Sequence, residues 1–311
     1  MSQRLSVLLP VHNGQKFLRR ALDSILQQSY RDFSIVAVND GSEDDTASVL
    51  SHYSEHDKRI VVLTLPRVGL PAALNCGLEF CSGSYVARMD ADDIALPHRF
   101  EKQLQFLDAN PEVVAVGSFV ELIDEDGWPI GRAFDKSVTH EDIVDALLMR
   151  RKNVSGICHP SVMMRTEAVK RVGGYRNVLM GEDIDLFLRL AEVGKLANIP
   201  EVLLKYRVHW KSVSLNRSEQ ERSDSQRVRI EAYHRLGIPL PSDLNVLKPP
   251  PPPSRWQAYR HWARTAAKNG NLRTARKYAW RLLRIRPYSL DTWKTLARAL
   301  IGYPGLRVQP P

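Results

Sequence analysis

Apolar runs of six or seven residues alternate with longer segments of helical spacing through the first hundred positions. Residues 5–11, 33–39, 60–65 and 84–90 read as strands. Between them, 14–28, 44–56 and 71–81 carry apolar residues at helical intervals, with Asp44 or Asp45 placed to cap the second helix. Strands that are apolar on both faces fit a mostly parallel sheet with helices covering each side. Ligands of such sheets bind beyond the carboxyl ends of the strands. Three polar clusters fall there: Pro10-Val-His-Asn13, Asn39-Asp-Gly-Ser42 and Asp90-Ala-Asp92.

The pattern then loosens. A helix is expected over 97–109, a strand over 113–123 and a turn at 124–127. Next come a helix over 139–149, an extended segment over 155–164 and a break at Gly173-Gly174. An amphipathic helix over 182–193, a strand over 202–209 and a long charged helix over 214–236 complete the α/β pattern. Five prolines at 249–253 form a stiff spacer. Three short helices follow, about 255–268, 272–284 and 290–300. Their spacing of Tyr259, Ala263, Gly270, Leu272, Ala275, Leu282 and Pro287 resembles one and a half tetratricopeptide units. One such unit cannot bury its own face, so it must pack on the main domain, another chain or a membrane. The expected division is an α/β domain at 1–237, a proline-rich linker at 238–253 and a basic helical region at 254–311.

Charge sharpens that division. Thirteen of the 44 Lys and Arg lie from Ser254 onward, with only one of the 35 acidic residues, Asp291. The first 253 residues are therefore near −3 and the last 58 near +12. Four of the six tryptophans, Trp256, Trp262, Trp280 and Trp293, fall in the same segment. Aromatics among cations suit an anionic membrane surface. A small helical domain with a tryptophan core is the alternative; basic helices also bind phosphate backbones, but no nucleic-acid partner is expected. The three cysteines are too scattered for a disulfide framework or a zinc site and fit a reducing compartment. No run approaches the ~20 apolar residues of a membrane span, and none forms a signal-peptide core. A cytoplasmic location is expected, peripheral at the membrane if the tail binds lipid.

Candidate chemistry concentrates at Asp90, Asp92 and Asp93. Alternation along an extended backbone would put Asp90 and Asp92 on one side. Carboxylates so close repel and favour a hard cation, Mg2+ or Mn2+, that also contacts phosphate oxygens. A solvated acidic loop with Asp93 capping the next helix remains the other reading. Asp40 closes the second strand, where its carboxylate could accept from a uracil ring N–H or simply shape a tight turn. Glu182-Asp183 opens a helix, as a base would, or as an acidic pair favoured by the helix dipole.

Taken in order, Pro10-Val-His-Asn13, Gln27-Gln28, Asn39-Asp-Gly-Ser42, Leu74-Asn75 with Gly77, Met89-Asp-Ala-Asp-Asp93, Gly181-Glu-Asp183 and Tyr206-Arg with His209 resemble glycosyltransferase family 2. The resemblance covers about residues 4–236. It implies a GT-A fold, Rossmann-like, with the C-terminal helices as an extension. It also implies inverting transfer of a sugar from a nucleotide-diphosphate sugar, a UDP-sugar, to a hydroxyl of a glycan or lipid-linked acceptor in surface polysaccharide biosynthesis. Under it, Asp183 is the catalytic base, and Pro10, His12, Asp40, Asn75 and Asp90 hold the nucleotide sugar. Glu182 and His159 face sugar or acceptor, and Asp92 with His209 bind Mn2+ or Mg2+. The family often has Asn where this chain has Arg67, which leaves that residue's role open. A sugar nucleotidyltransferase is the rival enzyme, but its Gly-rich, basic loop after the first strand is missing. A non-catalytic nucleotide-sugar-binding or scaffold protein is the other rival, against which the intact Asp92 and Asp183 stand.

Overall fold

The structure, a computed structural model, describes residues 3–149, 155–178, 181–210, 219–241 and 251–302. The chain divides into two compact units. The first comprises Met1–Val120, Phe134–Lys205 and Gln220–Lys248, and the second Glu121–Ala133, Tyr206–Glu219 and Pro249–Pro311.

The first unit is built on β1 (Leu5–Val11), β2 (Phe33–Asp40), β3 (Ile60–Leu65) and β4 (Tyr85–Arg88). They run parallel in the order β3-β2-β1-β4, with Leu5 opposite both Phe33 and Tyr85. Every residue of β1 is buried, as its uninterrupted apolar run requires. Helices α1 (Leu18–Leu26), α2 (Thr46–His56) and α3 (Leu70–Phe80) make the crossovers. Helix α3 lies so close to the sheet that a Cβ on Gly77 would come within 2.3 Å of Leu8 Cδ1 and 2.8 Å of Val38 Cγ2. Helix α1 starts four residues later than its periodicity predicts. Asn13, Gly14 and Gln15 instead give their N–H groups to Ser42, Thr46 and Asp44 in the next loop.

Beyond β4 the sheet becomes antiparallel. The short β5 (Ile94–Ala95) pairs β9 (Lys195–Arg207). Helix α4 (Arg99–Ala109) leads to β6 (Val113–Ile123), and β7 (Pro129–Ala133) pairs with β6. Helix α5 spans His140–Leu147. The extended segment expected at 155–164 resolves into a 3₁₀ turn at His159–Ser161 and β8 (Met163–Arg165). Strand β8 lies antiparallel between β4 and β6. Helices α6 (Thr166–Arg171), α7 (Glu182–Ala191) and α8 (Glu219–Arg235) complete the unit; the expected start of α8 at 214–218 lies outside the described residues. Leu8, Val38, Leu74, Val86, Met164 and Phe187 share one core.

The second unit has a core of its own, among α9 (Arg255–Lys268), α10 (Leu272–Ile285) and α11 (Leu290–Ile301). Helix α9 is fixed at its start by a capping box between Ser254 and Gln257. Trp256, Trp262 and Tyr278 are buried there, whereas Trp280 and Trp293 are about half exposed. The face that one and a half helical repeats cannot bury is covered by β7, whose Ile130 belongs to the same core. The turn before β7 is tied down as well: Lys277 Nζ bonds Asp124 and Asp126, and Arg281 bonds Glu125 at 3.0 Å. Of the proline spacer, 249–250 lie outside the described residues and 251–253 have no regular structure. Among the described residues no helix is long and apolar enough to cross a membrane.

Candidate active site

Strand β4 ends at Arg88, and the chain then turns, with the Asp93 N–H directed at the Asp90 carbonyl over 3.4 Å. Carboxylate oxygens of Asp90, Asp92 and Asp93 thereby come within 4.8 Å of one another. The expected mechanism was strand alternation; a turn brings them together instead. Nor does Asp93 cap the next helix. Helix α4 begins after His98, and Asp93 is 1 % exposed.

Buried arginines hold this turn. Arg88 Nη1 pairs with Asp90 Oδ2 at 2.6 Å. Arg99 donates Nη2 to the Arg88 carbonyl at 2.7 Å and Nε to Gln103 at 3.0 Å. Gln103 in turn donates to the carbonyls of Val116 and Ser161. Burial lowers the Arg99 guanidinium to about 9, against the opposing pull of Asp93. For Arg88 burial acts the same way, but the charge and hydrogen bond of Asp90, with Tyr175 and Asp93, together outweigh it and the guanidinium is held above its usual range. The Asp90 carboxyl is pushed up by burial, pulled down by Arg88, and pushed up again by Asp92 and Asp183. Asp183 thus lies within electrostatic reach of the acidic turn.

Asp183 is the second residue of α7, which starts from Gly181 in the left-handed region (φ 90°). Glu182 beside it is buried. Tyr175 faces the same charges: burial raises its hydroxyl, Arg88 opposes, and Glu182, Asp183 and Asp90 add to the rise. The Tyr175 hydroxyl pairs with His159 Nε2 at 2.8 Å. Burial and the Arg88 charge push His159 well below its ordinary value, so its ring is neutral. Asn75 uses both amide atoms on the Tyr175 backbone, donating to the carbonyl at 2.7 Å and accepting from the N–H at 2.8 Å.

At the ends of β1 and β2, Pro10 is buried and His12 is exposed. His12 Nδ1 donates to the Asp40 carbonyl at 2.9 Å. The Asp40 carboxylate is 3 % exposed and already accepts several bonds. Val68 N–H reaches Oδ1 at 2.7 Å, Gly69 N–H reaches Oδ2 at 3.1 Å, and the Arg67 guanidinium pairs with Oδ2. Gly41 makes this approach possible. Its φ is +62°, and a Cβ there would lie 2.6 Å from the Arg67 nitrogen.

His209 belongs to the second unit, where it lines a cavity with Trp210 and Tyr259. Trp128 also lies in that unit, beneath the Arg273 guanidinium at 3.8 Å and Lys277 at 4.9 Å.

The acidic turn fits a hard divalent cation. It offers three carboxylates, and the upward pressure of Asp92 and Asp183 on Asp90 is a repulsion that a cation would relieve. Tyr175, Arg99 and Gln103 were not singled out by motif reading. Tyr175 follows Gly173-Gly174 directly, and Arg99 and Gln103 stand one helical turn apart; those were the available signals.

The family model "Glycosyl transferase family 2" matches residues 6–173, which carry β1 to β4 and the acidic turn. The chain belongs to glycosyltransferase family 2. A relative from Escherichia coli, O-antigen biosynthesis glycosyltransferase WbnJ, is 35 % identical over 212 residues, 67 % of this chain and 81 % of the relative. Among solved structures, S. aureus TarS bound to UDP-GlcNAc superposes with a TM-score of 0.60 at 16 % identity, over 96 % of this chain and 79 % of that one. The mannosyltransferase PcManGT from Pyrobaculum calidifontis, with GDP-Man and Mn2+, gives 0.61 at 20 % identity, over 96 % and 85 %. At these identities the structures establish that this family 2 chain has the GT-A fold.

Proposed function

We propose that this family 2 glycosyltransferase transfers a sugar, with inversion, from a UDP-sugar to a hydroxyl of a glycan or lipid-linked acceptor during surface polysaccharide assembly. The observation that supports it most is the electrostatic coupling of Asp183 to an acidic turn at the end of β4. The proposed base and the proposed diphosphate site then lie within charge reach of one another. Of the proteins this chain resembles, WbnJ is an O-antigen biosynthesis glycosyltransferase and TarS holds UDP-GlcNAc.

In this reading Asp183 takes the proton of the acceptor hydroxyl. That oxygen bonds to the anomeric carbon as the carbon–phosphate oxygen bond breaks, and the electron pair leaves with UDP. A cation held by Asp92, with Asp90 beside it, would neutralise charge gathering on that diphosphate. His209 is assigned as a further ligand by resemblance alone. Asp40 reads the base once Arg67, half exposed on its stem, yields one carboxylate oxygen. Pro10 and His12 line the base pocket. Asp90, held by Arg88, faces the ribose, and Glu182 and the neutral His159–Tyr175 pair face the sugar or acceptor. Asn75 serves by holding the Tyr175 backbone in place.

The test is a donor screen. The purified protein is mixed with Mn2+ and UDP-, GDP- or dTDP-sugars, and thermal shift and slow nucleotide release are recorded with and without EDTA. The expected result is stabilisation by one UDP-sugar that EDTA abolishes. Stabilisation indifferent to EDTA would remove the metal from the reading, and preference for a GDP-sugar would remove UDP.

A further inference from the structure

A cavity of about 370 Å³ opens inside the second unit, within the ~300–1,000 Å³ range of small-molecule sites. Its wall draws on the turn before β7, the chain after β9, and helices α9 and α10. Four aromatic rings and three guanidinium groups dominate it. Arg255 lies over the rings of Trp210, at 5.9 Å, and Tyr259, at 5.5 Å. Arg281 lies over Tyr259 and Tyr278 and reaches Glu125. Arg284 stands exposed on the wall. Among the described residues Glu125 is the one acidic residue on the wall, so the arginines leave an excess of positive charge there. A guanidinium stacked on a ring still has in-plane donors, in a fork that matches carboxylate or phosphate. Flat aromatic faces, for their part, accept the apolar face of a ring-shaped ligand.

We infer that this cavity binds an anionic saccharide, a pyranose carrying a carboxylate or a phosphate. The sugar ring lies against the partly exposed Trp210, and its anion pairs with Arg255, Arg281 and Arg284. Under the proposed transferase function this ligand is the charged part of the acceptor; only that last step rests on the proposed reaction. Among the described residues its wall holds no cluster of carboxylates like the one at the end of β4.

Calorimetric titration of the full chain tests this. The probes are glucuronate and glucose 1-phosphate, with glucose, inorganic phosphate and UMP as comparators. At least one anionic sugar is expected to bind in the millimolar range or tighter, with glucose and phosphate about tenfold weaker. Arg281→Gln should weaken binding by about tenfold. Arg284→Gln, at an exposed position where folding is not at stake, should weaken it in the same direction. The inference is overturned if neither anionic sugar binds, if glucose or phosphate binds equally well, if UMP displaces the sugar, or if both variants keep full affinity. UDP-sugar hydrolysis by the wild-type protein, measured in parallel, reports on the first unit. Absent hydrolysis with intact anionic-sugar binding would retire the UDP-sugar donor and leave this inference standing.

Discussion

Asp183 stands at the start of a helix, two residues after a glycine in the left-handed region, and its charge reaches Asp90. The proposed base role asks more of this carboxylate than complementing the helix dipole. Asp183→Asn keeps the shape and removes the proton acceptor. Sugar transfer is expected to fall by about 10²–10⁴-fold while UDP-sugar still produces its thermal shift. Transfer near the wild-type rate would take the base role from Asp183. The carboxylates proposed for the site, Asp40, Asp90, Asp92 and Asp183, were conspicuous in the sequence because each sits in a motif. Arg99, Gln103 and Tyr175 were not. Their importance comes from partners far along the chain: Gln103 bonds the Ser161 carbonyl, and Tyr175 bonds His159 and Asn75. No local pattern announces such pairings. The acidic turn was found for the right composition but the wrong geometry, since alternation assumes the strand continues and β4 stops at Arg88.

At the scale of elements, the parallel half of the sheet followed its apolar runs closely, and the antiparallel half did not. Two-residue β5 and the Pro-led β7 are too short or too mixed for a period of two to register. Strand β9 begins at Lys195, before the Asn198-Ile-Pro200 stretch that reads as a break. Where elements meet, tolerances are small. Gly77→Ala adds a methyl facing Leu8 and Val38, and overpacking of this kind costs about 1–3 kcal/mol. The gain in helix propensity, about 1 kcal/mol, does not offset the upper part of that range. A lowered thermal midpoint is expected, and an unchanged or raised one would show that α3 can move away from the sheet. The α2–β3 turn gives a pH signature. Arg59 holds the Asp57 carboxyl below its ordinary value of 3.8 through hydrogen bonds and charge, overcoming the effect of burial. A carboxyl lowered on folding adds stability above its unfolded value, and that stability is lost as pH falls through the folded one. Asp57→Asn should therefore be less stable than wild type at pH 7, with the difference closing below about pH 4. A difference that persisted unchanged into acid would mean that the ion pair is not its source.

The whole molecule separates a nearly neutral chain from a strongly cationic tail, +12 over its last 58 residues. The folded second unit buries Trp256 and Trp262 but leaves Tyr288 98 % and Leu290 76 % exposed. The unit thus has a tryptophan core, and it keeps apolar residues outside among cations. Contact of this surface with an anionic bilayer is proposed on those grounds. Sedimentation with vesicles containing anionic lipid should pellet the protein at low salt, and release it as ionic strength rises. Failure to pellet, or pelleting equally with neutral vesicles, would assign the exposed residues to another surface.

The β7 contribution to the second core also sets an order of events during synthesis. Ile130 emerges from the ribosome well before Trp256, Tyr278 and Leu296, the residues it is buried with. At about 5–20 residues per second, the nascent chain waits roughly 6–33 s for these helices. Throughout that interval the hairpin's apolar face has no permanent cover. A truncated transcript ending before the helices would make that exposure permanent, and its product should be a chaperone client or a substrate for proteolysis.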